Sequence, residues 1–112
     1  MCLFCKIVAR EVPGKIVYED DDVLAFEDIR PVAPTHTLVI PKRHIASLNE
    51  AKPEDAELLG KVLVAAAKVA KQAGIDQSGW RLVLNNGPNA GQTVFHIHAH
   101  VLGGRGMTWP PG

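Results

Sequence analysis

Apolar and polar positions alternate most strictly near the end of the chain, where His96-Ile97-His98-Ala99-His100-Val101-Leu102 puts a histidine on every second residue. Such alternation predicts a strand, because successive side chains of an extended chain point to opposite faces and repeat at about 6.6 Å per two residues. His96, His98 and His100 are therefore expected on one face, and Ile97, Ala99 and Val101 on the other, where a core buries them. Upstream, Phe4 to Arg10 reads as a short helical turn and Pro13-Gly14 as a break. Ile16 to Glu19 reads as a strand, the acidic cluster Glu19-Asp20-Asp21-Asp22 as a hairpin turn, and Val23 to Glu27 as the returning strand. A loop punctuated by Pro31 and Pro34 leads to a third strand, Thr35 to Pro41. Pro53 stands at a first helical position and Gly74 at a C-terminal stop. Between them Leu58, Leu59, Val62, Leu63, Ala66, Val69 and Ala70 recur at three and four, the mark of an amphipathic helix. Trp80 to Leu84 reads as the fourth strand, Asn85 to Gly91 as a loop, and Gln92 to Leu102 as the fifth strand. The tail, Gly103 to Gly112, has no periodicity. Strands, helix, then strands predict one α+β domain over residues 1–112: a five-stranded antiparallel sheet with one long helix and a short N-terminal helix.

Length and charge narrow the function. A chain of 112 residues is most simply one domain with a core of its own. Its 12 basic and 12 acidic residues cancel, and no basic stripe with interleaved aromatics appears, which argues against a nucleic-acid polymer and for a small ligand. The opening Met1-Cys2-Leu3-Phe4-Cys5 has neither the charged start nor the long apolar stretch of a signal peptide. No apolar run approaches the roughly 20 residues of a membrane span, so a cytoplasmic protein with no membrane partner is expected.

The histidines carry the chemistry. Imidazole, with an ordinary pKa of about 6.5, is both nucleophilic and able to carry protons near neutral pH. Of the five histidines, the two outside the triplet, His36 and His44, flank the apolar run Thr37-Leu38-Val39-Ile40-Pro41. All five thus fall in two strand-like places, which predicts one site; metal binding alone and a pH-responsive surface strand are the other readings. The loop Asn85 to Thr93 runs directly into the triplet. Gly87 and Gly91 permit positive φ and let backbone N–H groups approach an anion, although the same composition marks any surface turn. Gln92 and Thr93 add hydrogen-bonding side chains where a phosphate and its leaving group need them.

With these residues in view, the chain resembles the histidine triad family, whose signature is His-apolar-His-apolar-His followed by two apolar residues, here His96 to Leu102. Pro34-Thr35-His36, Leu38 to His44, Gly91 to His96, the run Val101-Leu102-Gly103-Gly104-Arg105 and the ending Trp109-Pro110-Pro111-Gly112 are similar to the Hint branch. Members of that branch are homodimeric purine nucleoside phosphoramidases, and the resemblance implies purine nucleoside monophosphate derivatives as substrates and a homodimer here. It implies His98 as nucleophile, His100 as the group that holds or tunes it, and His96, His36 and Thr93 in the same catalytic set. Asp28 matches the position that accepts the ribose hydroxyls, with Phe4, Phe26 and Ile29 near the base. Asn85, Gly91, Gln92, Thr93, Val94 and Trp109 complete the implied nucleotide-binding set. Read from the residues alone, Phe4, Phe26 and Ile29 are ordinary core and Asp28 an ordinary turn residue. The departing amine needs a general acid, which the sequence does not single out.

Cys2-x-x-Cys5 departs from the best-known Hint enzymes, which lack it. Several bacterial members of the wider family bind zinc this way, and the resemblance supplies His44 and His96 as the two ligands that complete a structural Cys2His2 zinc site. A redox pair and two plain reduced cysteines are the alternatives. If His96 ligates metal, the same nitrogen cannot serve phosphate, and His98 with His100 is left as the working pair. The proline-rich tail around Trp109 is expected to pack on another surface, in the Hint branch toward the partner subunit's site; an exposed tail is the alternative.

Two function classes follow. One is hydrolysis of the P–N bond of a nucleoside 5′-monophosphoramidate through a covalent histidyl-nucleotide on His98. The other is a nucleotide- or zinc-binding interaction module with weak catalysis. Within the family, His100 stands where nucleotidyltransferases carry glutamine. Dinucleoside polyphosphate hydrolases, the remaining enzymatic alternative, lack the Gly103-Gly104-Arg105 and Trp109 to Gly112 ending.

Overall fold

The structure is a computed structural model and describes residues 2–112. It opens on a short helix, α1 (Leu3–Val8), in which the Cys2 sulfur accepts the Cys5 N–H at 3.2 Å and so caps the N-terminus. The expected turn through Arg10 ends earlier, because Arg10 takes the left-handed conformation, φ 62°, that stops a helix. The strands β1 (Ile16–Glu19) and β2 (Val23–Glu27) form an antiparallel hairpin. Its acidic turn is closed by Asp20, whose Oδ1 accepts the N–H groups of Asp22 and Val23, each at 2.8 Å. The third strand, β3 (Thr35–Pro41), pairs antiparallel with β2. A single turn of 3-10 helix, Pro53–Asp55, leads into α2 (Ala56–Gln72), and Asp55 Oδ2 accepts the Lys52 N–H at 2.9 Å at that entry. Then come β4 (Trp80–Val83) and β5 (Ala99–Gly103).

The sheet order is β1-β2-β3-β5-β4, antiparallel throughout, so the expected α+β architecture is the observed one. One face is covered by α2: Val62, Ala65, Ala66, Val69 and Ala70 pack on Val23, Ala25, Val39, Ala99 and Val101. The alanines let the helix approach the sheet closely. On the other face Leu24, Phe26, Leu38 and Ile40 are covered by Phe4 and Ile7 of α1. Burying each large apolar side chain contributes about 1.5–3 kcal/mol, so these two anchors supply part of what holds a helix of only six residues in place. With both faces covered, β2 and β3 read as continuous apolar runs rather than alternating ones. Among the described residues no helix is long and apolar enough to cross a membrane.

The histidine strand is shorter than its alternation predicts. Only Ala99–Gly103 is strand, and residues 92–98 are irregular with a bend at 94–96, so His96 and His98 precede the ladder. Pairing with β3 stops at Val39 opposite Ala99. Beyond that point the Pro41 carbonyl is met by the His96 side chain, Nε2 to O 2.7 Å, while the Ile97 N–H turns to the Ile45 carbonyl at 2.8 Å. A ring has replaced the main-chain partner, and the strand cannot continue.

Candidate active site and metal centre

Helix α1 and the segments around His44 and His96 bring four donors together. The Cys2 sulfur lies 3.6 Å from His44 Nδ1 and 3.4 Å from His96 Nδ1; the Cys5 sulfur lies 3.4 Å and 3.6 Å from the same two nitrogens. The two Nδ1 atoms are 3.3 Å apart. Tetrahedral zinc with Zn–S of about 2.3 Å and Zn–N of about 2.0 Å has S···N edges of about 3.5 Å and an N···N edge of about 3.3 Å. The donor set therefore has the dimensions and the chemistry of a structural zinc site. His96 is prepared for that role: its Nε2–H donates to the Pro41 carbonyl, which leaves the Nδ1 lone pair on the cluster side. Burial lowers the His96 pKa and keeps the ring neutral, as a ligand must be. Burial and the Cys2 thiol raise Cys5, a pair of thiols that a cation would turn into thiolates.

The proton positions of the remaining histidines follow from their partners. His98 Nδ1 is 2.7 Å from the His96 carbonyl; a carbonyl only accepts, so Nδ1 carries a proton, and in the neutral form of the ring the lone pair is on Nε2. The Val32 N–H donates to His36 Nδ1 at 3.1 Å, which puts the His36 proton on Nε2. That proton faces His100 Nδ1 at 2.9 Å and Asp28 Oδ2 at 3.3 Å. His100 Nδ1 thus accepts, and its proton is on Nε2, a buried atom with no hydrogen-bond partner among the described residues. Burial, only partly opposed by the Asp28 carboxylate, lowers the His36 pKa. Burial, reinforced by His98 and His36, pushes His100 down to about 4, so both rings are neutral at pH 7. Asp28, His36 and His100 converge closely enough for a metal. The Val32 amide, by holding the proton on His36 Nε2, makes them a hydrogen-bond relay instead.

His98 and His100 open onto a cleft of about 590 Å³. Its apolar wall comes from Phe4, Ile7, Val12, Phe26 and Leu38, and its rim from Asp28, Ile29, Thr93 and Val94. Phe4 stands edge-on to His98 with ring centroids 5.0 Å apart, and at 5.3 Å from Phe26. His98 is only 7% exposed, which is what a nucleophile sheltered from bulk water needs. Lys15 and Arg30 also line the cleft, two cations that reading the sequence did not single out. Nothing in their spacing marks them, because the loops alone bring them to the rim.

Four expected nucleotide contacts are placed elsewhere. Gln92 is buried with its side chain spent on the backbone: Oε1 accepts the Gly87 N–H at 2.9 Å, and Nε2 donates to the carbonyls of Ala46 at 2.8 Å and Val94 at 3.1 Å. It braces the loop instead of offering its amide to a phosphate. Asn85 and Gly91 do not line the cleft; Gly91 adopts the left-handed φ of 86° that ends the turn after Pro88. Trp109 is 80% exposed and lies over Arg81, 5.9 Å from the guanidinium carbon to the ring centroid, away from this chain's own cleft.

Comparison with known proteins agrees with this geometry. The HIT domain model matches residues 9–107. A HIT-like protein of Synechocystis sp. is 54% identical over 110 residues, spanning 98% of this chain and 96% of its relative. The 14 kDa zinc-binding protein of Zea mays is 51% identical over 112 residues, spanning 98% of this chain and 87% of that one. Among solved structures, a HIT family hydrolase from Legionella pneumophila is 54% identical, with a TM-score of 0.98 and 100% of both chains covered. A Zn-bound histidine triad family protein from Mycobacterium smegmatis is 40% identical, with a TM-score of 0.78 over 93% of this chain and 75% of that one. A domain match spanning most of the chain, joined to likeness along its length in sequence and fold, makes this protein a member of the HIT family.

Proposed function

We propose that the chain is a nucleotide hydrolase of the Hint type, which cleaves the P–N bond of purine nucleoside 5′-monophosphoramidates. One observation carries the reading: a sheltered imidazole, His98, commits its Nδ1–H to the His96 carbonyl and so leaves Nε2 for chemistry at a cleft also lined by His100, whose Nε2–H has no partner among the described residues. The first is a nucleophile and the second a donor for the phosphoryl oxygens as charge develops on them. His98 Nε2 attacks the α-phosphorus, the bond to the leaving nitrogen breaks, and that nitrogen takes a proton from solvent as the amine departs. Water then attacks the same phosphorus, releasing the nucleoside monophosphate and restoring His98. The Phe4, Phe26 and Leu38 wall suits a purine, and Asp28 at the rim suits the ribose hydroxyls. Zinc on Cys2, Cys5, His44 and His96 supplies a structural cross-link, and with His96 spent there His98 and His100 are the working pair. The protein acts in the cytoplasm as a homodimer in this reading. The exposed Leu63 and Val64 of α2 and the exposed Trp109 are apolar surface that a second copy would cover.

The test is denaturant-quenched mass spectrometry during turnover of adenosine 5′-monophosphoramidate. A nucleoside monophosphate adduct on His98 is expected, with His98→Ala abolishing turnover while AMP binding persists. Undiminished turnover by that variant overturns the reading.

A further inference from the structure

His96 belongs to two devices at once. Its Nδ1 faces the two cysteine sulfurs, while its main-chain carbonyl holds the His98 proton at 2.7 Å. Helix α1 is shared in the same way. Cys2 and Cys5 sit at its start, and between them, next to Cys5, is Phe4, whose ring lies 5.0 Å from His98 and 6.0 Å from His96. A helix of six residues has no stability of its own, so α1 stays in place through its sulfurs and through the burial of Phe4 and Ile7. Both thiols are only partly buried and are within reach of a small solute.

We infer that Cys2 and Cys5 are a thiol modification site through which a peroxide-class oxidant disables the nucleophile; the consequence for turnover rests on the function proposed above. The peroxide O–O bond breaks as one zinc-bound thiolate is oxidised to a sulfenic acid. The second thiolate attacks that sulfur, an S–S bond forms, and the oxygen leaves as water. Two thiolates, one hydrogen peroxide and two protons give one disulfide and two waters, with Zn²⁺ released. A sulfur bonded to sulfur no longer ligates metal, so His44 and His96 lose their common centre. The His96 segment then keeps only its hydrogen bonds to Pro41 and Ile45, and α1 only the burial of Phe4 and Ile7, so the carbonyl that sets the His98 tautomer and the Phe4 wall that shelters it each lose the support that the metal gave.

The experiment uses the whole zinc-loaded chain treated with hydrogen peroxide. Intact mass and a chromogenic chelator report the disulfide and the metal, and far-UV circular dichroism reports the sheet and α2. Long-range ¹⁵N–¹H NMR reads the His98 tautomer, and calorimetry reads AMP affinity. Expected are loss of two hydrogens, one zinc released per chain, a preserved sheet, loss of the single His98 Nδ1–H tautomer, and AMP binding weakened at least tenfold. Dithiothreitol with zinc is expected to restore all four. Phe4→Leu, which keeps every metal donor, is expected to shrink the difference in affinity between reduced and oxidised protein. The inference is overturned if the disulfide forms and zinc leaves while the His98 signals stay unchanged. Thiols that survive peroxide with their zinc, or global unfolding on oxidation, overturn it equally. The NMR arm needs no turnover, so reduced protein that binds AMP but hydrolyses no phosphoramidate defeats the proposed activity and leaves this coupling standing.

Discussion

His36 Nε2 lies 2.9 Å from His100 Nδ1, and the direction of the proton between them is set at a third place, the Val32 amide. The series Val32, His36, His100 thereby leaves one N–H, at the buried Nε2 of His100, without a partner among the described residues. Replacing His36 by asparagine removes the aromatic donor and lets His100 adopt either tautomer. The expected result is a fall in kcat of about 10- to 100-fold, the usual cost of losing the partner that orients a working group, with KM little changed. Steady-state kinetics on a phosphoramidate check it; an unchanged kcat removes the relay from the mechanism.

Acid is expected to loosen the fold through the same pair. His100 is held at about 4, below its ordinary 6.5, so between those values the unfolded chain binds a proton that the folded chain refuses. The stability that the neutral ring contributes is present above pH 6.5 and is lost as pH falls toward 4. His36, also lowered by burial, acts in the same direction. Thermal unfolding from pH 7.5 to 4.5 should show a steeper loss of Tm in the wild type than in His100→Gln. Parallel curves would show that His100 does not titrate this way.

Gln92 and Thr93, adjacent in sequence, are expected to fail differently. The Gln92 amide bridges Gly87, Ala46 and Val94, whereas Thr93 is exposed at the cleft rim. Gln92→Ala leaves three part-buried backbone groups without their partner and should cost about 1–3 kcal/mol of stability. Thr93→Ala should leave stability within about 0.5 kcal/mol and act on turnover instead. Urea unfolding beside kinetics separates the two; equal stability of both variants refutes the bracing role.

Gly103, the last residue of β5, has no room for a methyl group. A Cβ there would meet Ile75 Cβ at 3.1 Å and Cγ2 at 3.2 Å, at the point where the chain leaves α2 and packs on the sheet. Gly103→Ala is expected to cost about 1–3 kcal/mol through overpacking. Adding Ile75→Val should recover part of the loss, and a double-mutant cycle by urea unfolding measures the coupling. Strict additivity would place the strain elsewhere.

How much was legible in the sequence varies by element. Strands β1, β2 and β3 have the boundaries that their turn residues and apolar runs predict, because Asp20, Pro13-Gly14 and Pro34 are local signals. Helix α2 follows from its three-and-four spacing, and β4 ends one residue early, at Val83. The histidine segment misled because alternation reports which side chains are alike, not whether a neighbouring strand is there to pair. Gln92 misled for a related reason: a polar side chain beside a site reads as ligand-facing until the backbone groups that need it are seen.

What the sequence by itself determined is the set of parts: apolar runs that must be buried, a helix with one apolar stripe, and imidazoles and thiols at fixed spacings, all set by local propensity and side-chain chemistry. The tertiary structure alone decided which atoms are free. The Pro41 carbonyl claims His96, the His96 carbonyl claims a proton of His98, and the Val32 amide orders His36 and, through it, His100. Those choices depend on backbone groups distant in sequence meeting in a buried place, where each donor and acceptor must be satisfied. No spacing along the chain encodes them.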